Sequence, residues 1–112
     1  MTTMAELGVV DLPPWPGPTA VRRDYVAGWE AFADAVADGL DKVVDPGDVV
    51  PPSLSANPAR RIAWIMGFAE HQVALGTWER ALWGGGPTDV ATVHAVVQRA
   101  VGDLRAAYLG GR

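Results

Sequence analysis

The stretch from Pro58 to Trp83 limits the fold most strongly. Trp64, Phe68, His71, Leu75, Trp78 and Leu82 recur in alternating steps of four and three, which makes one apolar stripe of a helix. Ile62, Ile65, Met66, Ala69, Val73 and Gly76 make a second stripe on nearly the opposite side. Ala63, Gly67, Ala74 and Ala81 lie on a flank between them and are small enough for another helix to approach closely. Only Arg61, Gln72 and Glu79 form a continuous polar edge. A helix that is apolar around most of its circumference belongs inside an assembly of other elements. The pattern therefore predicts a central helix over 58–83, capped by Asn57 and opened by Pro58.

Two flanking helices follow from the same reasoning. Val21, Tyr25, Trp29, Phe32, Val36, Leu40 and Val43 share one face and predict a helix over about 20–44, capped by Thr19. Asp45-Pro46-Gly47-Asp48 reads as a turn, and 49–56 as an extended connection. Gly84-Gly85-Gly86-Pro87 breaks the chain. Beyond it Val90, Val93, Val97, Val101, Leu104 and Tyr108 predict a helix over about 89–109, capped by Thr88 and stopped by Gly110-Gly111. The expected architecture is all-α. A single three-helix domain covers 19–112, with a hairpin of the second and third helices and the first packed across it. Residues 1–18 form an extended Pro-rich arm, because Leu12–Pro18 holds four prolines within six positions around Trp15. The first two helices lie parallel if the connection retraces the first helix, and antiparallel if its path is shorter.

Composition narrows the function. Without cysteine there is no disulfide framework, thiolate zinc site or cysteine nucleophile. A net charge of −4 does not suit a protein whose task is to coat nucleic acid. No apolar run approaches the ~18 residues of a membrane span, and Met1–Glu6 lacks the basic and apolar regions of a secretory signal. The expected location is the cytoplasm, or a particle assembled inside the cell, with no membrane contact. Ser53 and Ser55 lie in the Pro-rich connection, and Lys42 is the sole lysine. In the hairpin the levels of His71 and His94 differ by ~8 Å at 1.5 Å per residue, too far for one metal. His94 is expected beside Trp78 or Leu82. No catalytic residue, metal or cofactor is expected, and the chain is not expected to be an enzyme.

Partner contacts are the remaining class. Trp15 either packs on its own domain or anchors a docking arm. Glu30, Asp34 and Asp38 form an acidic ridge, which is either solvated or meets a basic partner. Arg22-Arg23 and Arg60-Arg61 each open a helix, where positive charge opposes the helix dipole. They either pair with neighbours such as Asp24 and Glu30 or bind a phosphate or an acidic partner. Trp15, Arg22, Arg23, Arg60, Arg61, Trp64 and Phe68 are thus the candidate partner-binding residues.

Gly28-Trp29-Glu30-Ala31, Asn57-Pro58 and Arg61-Ile62-Ala63-Trp64-Ile65-Met66-Gly67-Phe68 together resemble the glycine-aromatic and R-x-x-W-x-x-G-aromatic pattern of ribosome modulation factor-like proteins. The resemblance covers about a third of the chain. It implies a helical regulator associated with the ribosome and with ribosomal RNA. The chain departs from that family in being longer and acidic, with wider spacing between the motifs. Trp83-Gly84-Gly85 is similar to the turn of secreted WXG hairpin proteins, although a glycine-rich turn after a core tryptophan accounts for it. The physical character as a whole points first to a non-enzymatic assembly or adaptor protein. It would act through helix–helix and arm contacts with a protein partner or its own copies, for example as a phage head-to-tail or capsid-associated component. The ribosome-associated regulator is the alternative.

Overall fold

The structure, a computed structural model, describes residues 13–15, 17–83 and 90–109. Most of these residues are helical, with no strand among them. They form α1 (Arg22–Ala37), the single turn α2 (Pro46–Val49), α3 (Pro58–Trp83) and α4 (Val90–Leu109), with 3-10 turns at Thr19–Val21 and Pro52–Leu54. The described residues up to His71 belong to one compact unit and those from Gln72 onward to a second, so α3 contributes to both.

The central helix has the bounds its sequence predicts. The Asn57 side chain accepts the Arg60 amide at 3.3 Å, and the Asn57 carbonyl accepts the Arg61 amide at 3.0 Å. Positions 63–70 are all buried, as two opposed apolar stripes require. Trp64, Phe68 and Trp78 of the aromatic stripe are buried and Leu75 is half-buried, whereas Ile62 of the second stripe is exposed.

The first helix differs from its expected span. It begins after a 3-10 turn, and no side-chain cap opens it, so Thr19 does not play that part. It ends at Ala37 although the apolar period continues through Leu40 and Val43. Gly39 adopts φ 103°, donates to the Val36 carbonyl at 3.0 Å, and lets Leu40 donate to Ala35 at 2.9 Å. That pair of bonds is a Schellman stop, and it needs a residue tolerant of the left-handed region. Val43 is consequently left 86% exposed. The connection is not extended either. Asp45 accepts the Gly47 amide at 2.9 Å and caps α2, and Pro52 opens the second 3-10 turn. Proline at the first position of each turn makes both inexpensive to form.

α1 and α3 cross backbone to backbone. A Cβ on Gly28 would overlap the Trp64 carbonyl, and one on Gly67 would overlap the Tyr25 carbonyl and sit 2.8 Å from the Trp29 amide nitrogen. Three contacts along the pair share a single register. Asp24 binds Arg60 at a separation of 36 residues, Gly28 meets Trp64, and the Phe32 and Phe68 rings touch edge to face at 5.3 Å. A constant offset means that the helices run in the same sense. The parallel alternative therefore holds, and both arginine pairs lie at one end.

In the second unit Ala74, Thr77 and Trp78 of α3 and Val97 and Val101 of α4 are buried. The Gly84–Pro87 break, the Thr88 cap, the Gly110-Gly111 stop and residues 1–12 of the arm lie outside the described residues.

The crossing gives a direct expectation. Gly67→Ala forces the two backbones apart and should cost about 3 kcal/mol, the upper part of the usual overpacking range. Urea unfolding would measure it, and a loss below about 1 kcal/mol would mean that the contact is loose.

Candidate functional site

Polar groups gather around the α1–α3 crossing. At its N-terminal end Asp24 is buried, and Arg60 grips it with two guanidinium nitrogens, each at 3.1 Å. The hydrogen bonds to Asp24, and then its charge, hold the Arg60 guanidinium still more firmly protonated than usual. Arg60 opens α3, where its charge opposes the helix dipole, and Asp24 supplies the compensating carboxylate. Beside Asp24 on α1, the Tyr25 hydroxyl donates to Glu70 at 2.6 Å, and both side chains are fully buried.

His71 lies against the other side of the crossing. Its ring stacks on Trp29 at 4.1 Å and 13° and meets Phe32 at 5.0 Å. Nδ1 is 2.7 Å from the Trp29 carbonyl, which can only accept, so Nδ1 carries the proton and Nε2 is the nitrogen left to titrate. Burial lowers the His71 pKa, and the bond to Trp29 opposes that shift more weakly. The side chain of His94 lies outside the described residues, so its expected place beside Trp78 or Leu82 does too.

The structure separates the candidate partner-binding residues by role. Trp64 and Phe68 are buried, and their rings stack at 5.4 Å inside the unit. Trp15 is half-buried and stacks on Tyr25 at 5.0 Å, while its indole N–H donates to the Pro18 carbonyl at 2.8 Å. Gly17 makes that fold-back possible, since a Cβ there would come within 2.5 Å of the indole. Arg60 is committed to Asp24, and Arg61 is half-buried beside the Gly47 turn. Arg22 and Arg23 are exposed at the start of α1. On the same helix Glu30, Asp34 and Asp38 are exposed, and none makes an ion pair with a described residue.

The sequence reading missed Glu70. A carboxyl placed directly after the apolar run from Ile62 to Ala69 was the available signal, because a charge at that point of a buried helix needs a partner. Among the described residues no group of three His, Asp or Glu is placed to hold a metal ion, and no helix is long and apolar enough to cross a membrane. No known protein family, characterised protein or solved structure matches the chain.

Two outcomes follow from these contacts. Tyr25→Phe takes one hydrogen bond from the buried Glu70 carboxyl and should cost about 1–3 kcal/mol in urea unfolding. A neutral result would show that the carboxyl is satisfied without the phenol. For His71 the folded pKa lies below the unfolded value of about 6.5. The unfolded chain therefore binds more protons as pH falls below that value, and stability drops. Thermal unfolding between about pH 7.5 and 5 should show this drop, and His71→Gln should flatten it. An equal slope in the variant would assign the drop to other groups.

Proposed function

We infer that the chain is a non-enzymatic assembly or adaptor module that works through helix–helix contacts. One observation carries this reading: α1 is seated on α3 by a backbone contact that leaves little freedom, while its opposite, charged face is exposed and unpaired within the described residues. A rigid helix with a free outer face presents side chains in fixed positions, and binding then costs little ordering entropy. The burial of the aromatics supports the same reading, since Trp29, Phe32, Trp64 and Phe68 build the scaffold and leave recognition to the outer residues. The arm adds a second element at the same end, with Trp15 lodged on Tyr25 near Arg22 and Arg23.

The residues that carry the resemblance to ribosome modulation factor-like proteins sit largely in the crossing. Gly28, Trp29, Trp64, Gly67 and Phe68 are buried there, so packing accounts for the motif without an RNA contact. A structural subunit of a larger particle fits a small rigid module with an exposed helix face, and it is the form of the reading we favour.

The test is the native mass of the full chain isolated gently from its source cells. The expected result is a discrete complex well above the 11.8 kDa of one chain. Recovery of a single chain free of any partner would contradict the reading. Co-sedimentation with ribosomes that weakens steeply with salt would favour the regulator instead.

A further inference from the structure

We propose that the outer face of α1 pairs antiparallel with the same face of a second copy. This rests on the assembly reading above and names the partner for it.

The charges along α1 are arranged against its own dipole. Arg23 lies in the first turn, where the acidic residue, Asp24, is already paired with Arg60, and Asp34 lies in the last, with Asp38 as the C-terminal cap and no basic residue in the last turn. Cations at a helix N-terminus and anions at its C-terminus are both unfavourable. Among the described residues this is not corrected, because Arg23, Asp34 and Asp38 pair with none of them, and the Asp24–Arg60 pair lies on the inner side. An antiparallel copy corrects both ends together, since it brings carboxylates to the arginine end and an arginine to the carboxylate end.

The spacing suits a two-fold contact centred on Glu30. Arg23 then lies ~10.5 Å from the axis, between Asp34 at ~6 Å and Asp38 at ~12 Å of the second copy, taking 1.5 Å per residue. The symmetry makes the contact twice. Ala27 and Ala33, both exposed, fall between the charged ends and allow close approach. Glu30 alone fits poorly, because it faces its own copy across the axis. That misfit gives the proposal a signature, since removing the charge there should tighten the pair.

Sedimentation equilibrium of the full chain tests this over a wide concentration range. The wild type should dimerise reversibly, and more weakly as salt rises, since screening shortens the reach of the charges. Arg23→Glu and Asp34→Arg should each raise the dimer dissociation constant by ~10-fold or more, because each places like charges opposite one another in both halves of the contact. Mixing the two variants pairs glutamate with arginine and should restore association. Glu30→Gln should strengthen it. Both charge variants are at exposed positions, and circular dichroism would verify that they remain helical. A wild type that stays monomeric throughout overturns the proposal. So does a dimer that neither variant weakens, or one that the mixture fails to restore. If a complex is isolated from cells but the pure chain remains monomeric, the assembly reading survives and this pairing does not.

Discussion

Side chains normally hold helix axes 8–10 Å apart. Where α1 meets α3 they are missing from both surfaces, because Gly28 and Gly67 face each other's helix and each main chain fills the space that a Cβ would take. Everything else in this unit depends on that approach. It brings the Tyr25 hydroxyl within reach of Glu70, the Trp29 carbonyl within reach of His71, and Phe32 onto Phe68. With one more methyl group at either glycine, these short polar contacts would lengthen together.

The polar groups buried at the crossing specify register as well as adding stability. Asp24–Arg60 and Tyr25–Glu70 are satisfied only when α1 and α3 lie parallel at one offset. A slide by one helical turn would bury a carboxyl without its donor, which costs more than the bond contributes when made. Apolar stripes alone would tolerate such a slide, since Trp, Phe and Ile pack in several registers. The rings then fill the remaining volume, and each close aromatic pair adds about 0.5–1.5 kcal/mol beyond the area it buries.

Much of this was legible in the sequence, for identifiable reasons. Asn57-Pro58 and a long apolar run fixed the start and the central place of α3, and Gly67 stood out on a flank of small residues. The end of α1 was not legible from periodicity, because Leu40 and Val43 continue the stripe while Gly39 stops the helix by its backbone conformation. Asp45 has the same look as a turn residue and as a cap, and only the fold shows that it caps α2. The site was harder. Whether an arginine at a helix start is free depends on the neighbouring helix, so Arg60 and Arg22 looked alike in sequence and differ in the structure. The direction of the long connection decided that difference, and proline content alone left it open.

The central claim is that two helix backbones touch at Gly28 and Gly67, with the helices running in the same sense. Proton NMR tests it most directly, through nuclear Overhauser contacts from the α protons of these two glycines. The account predicts contacts from Gly28 to the backbone of Trp64 and Phe68, and from Gly67 to that of Tyr25 and Trp29. Glycine α protons that show no contact with the opposite helix, or contacts whose order reverses along it, would contradict the account.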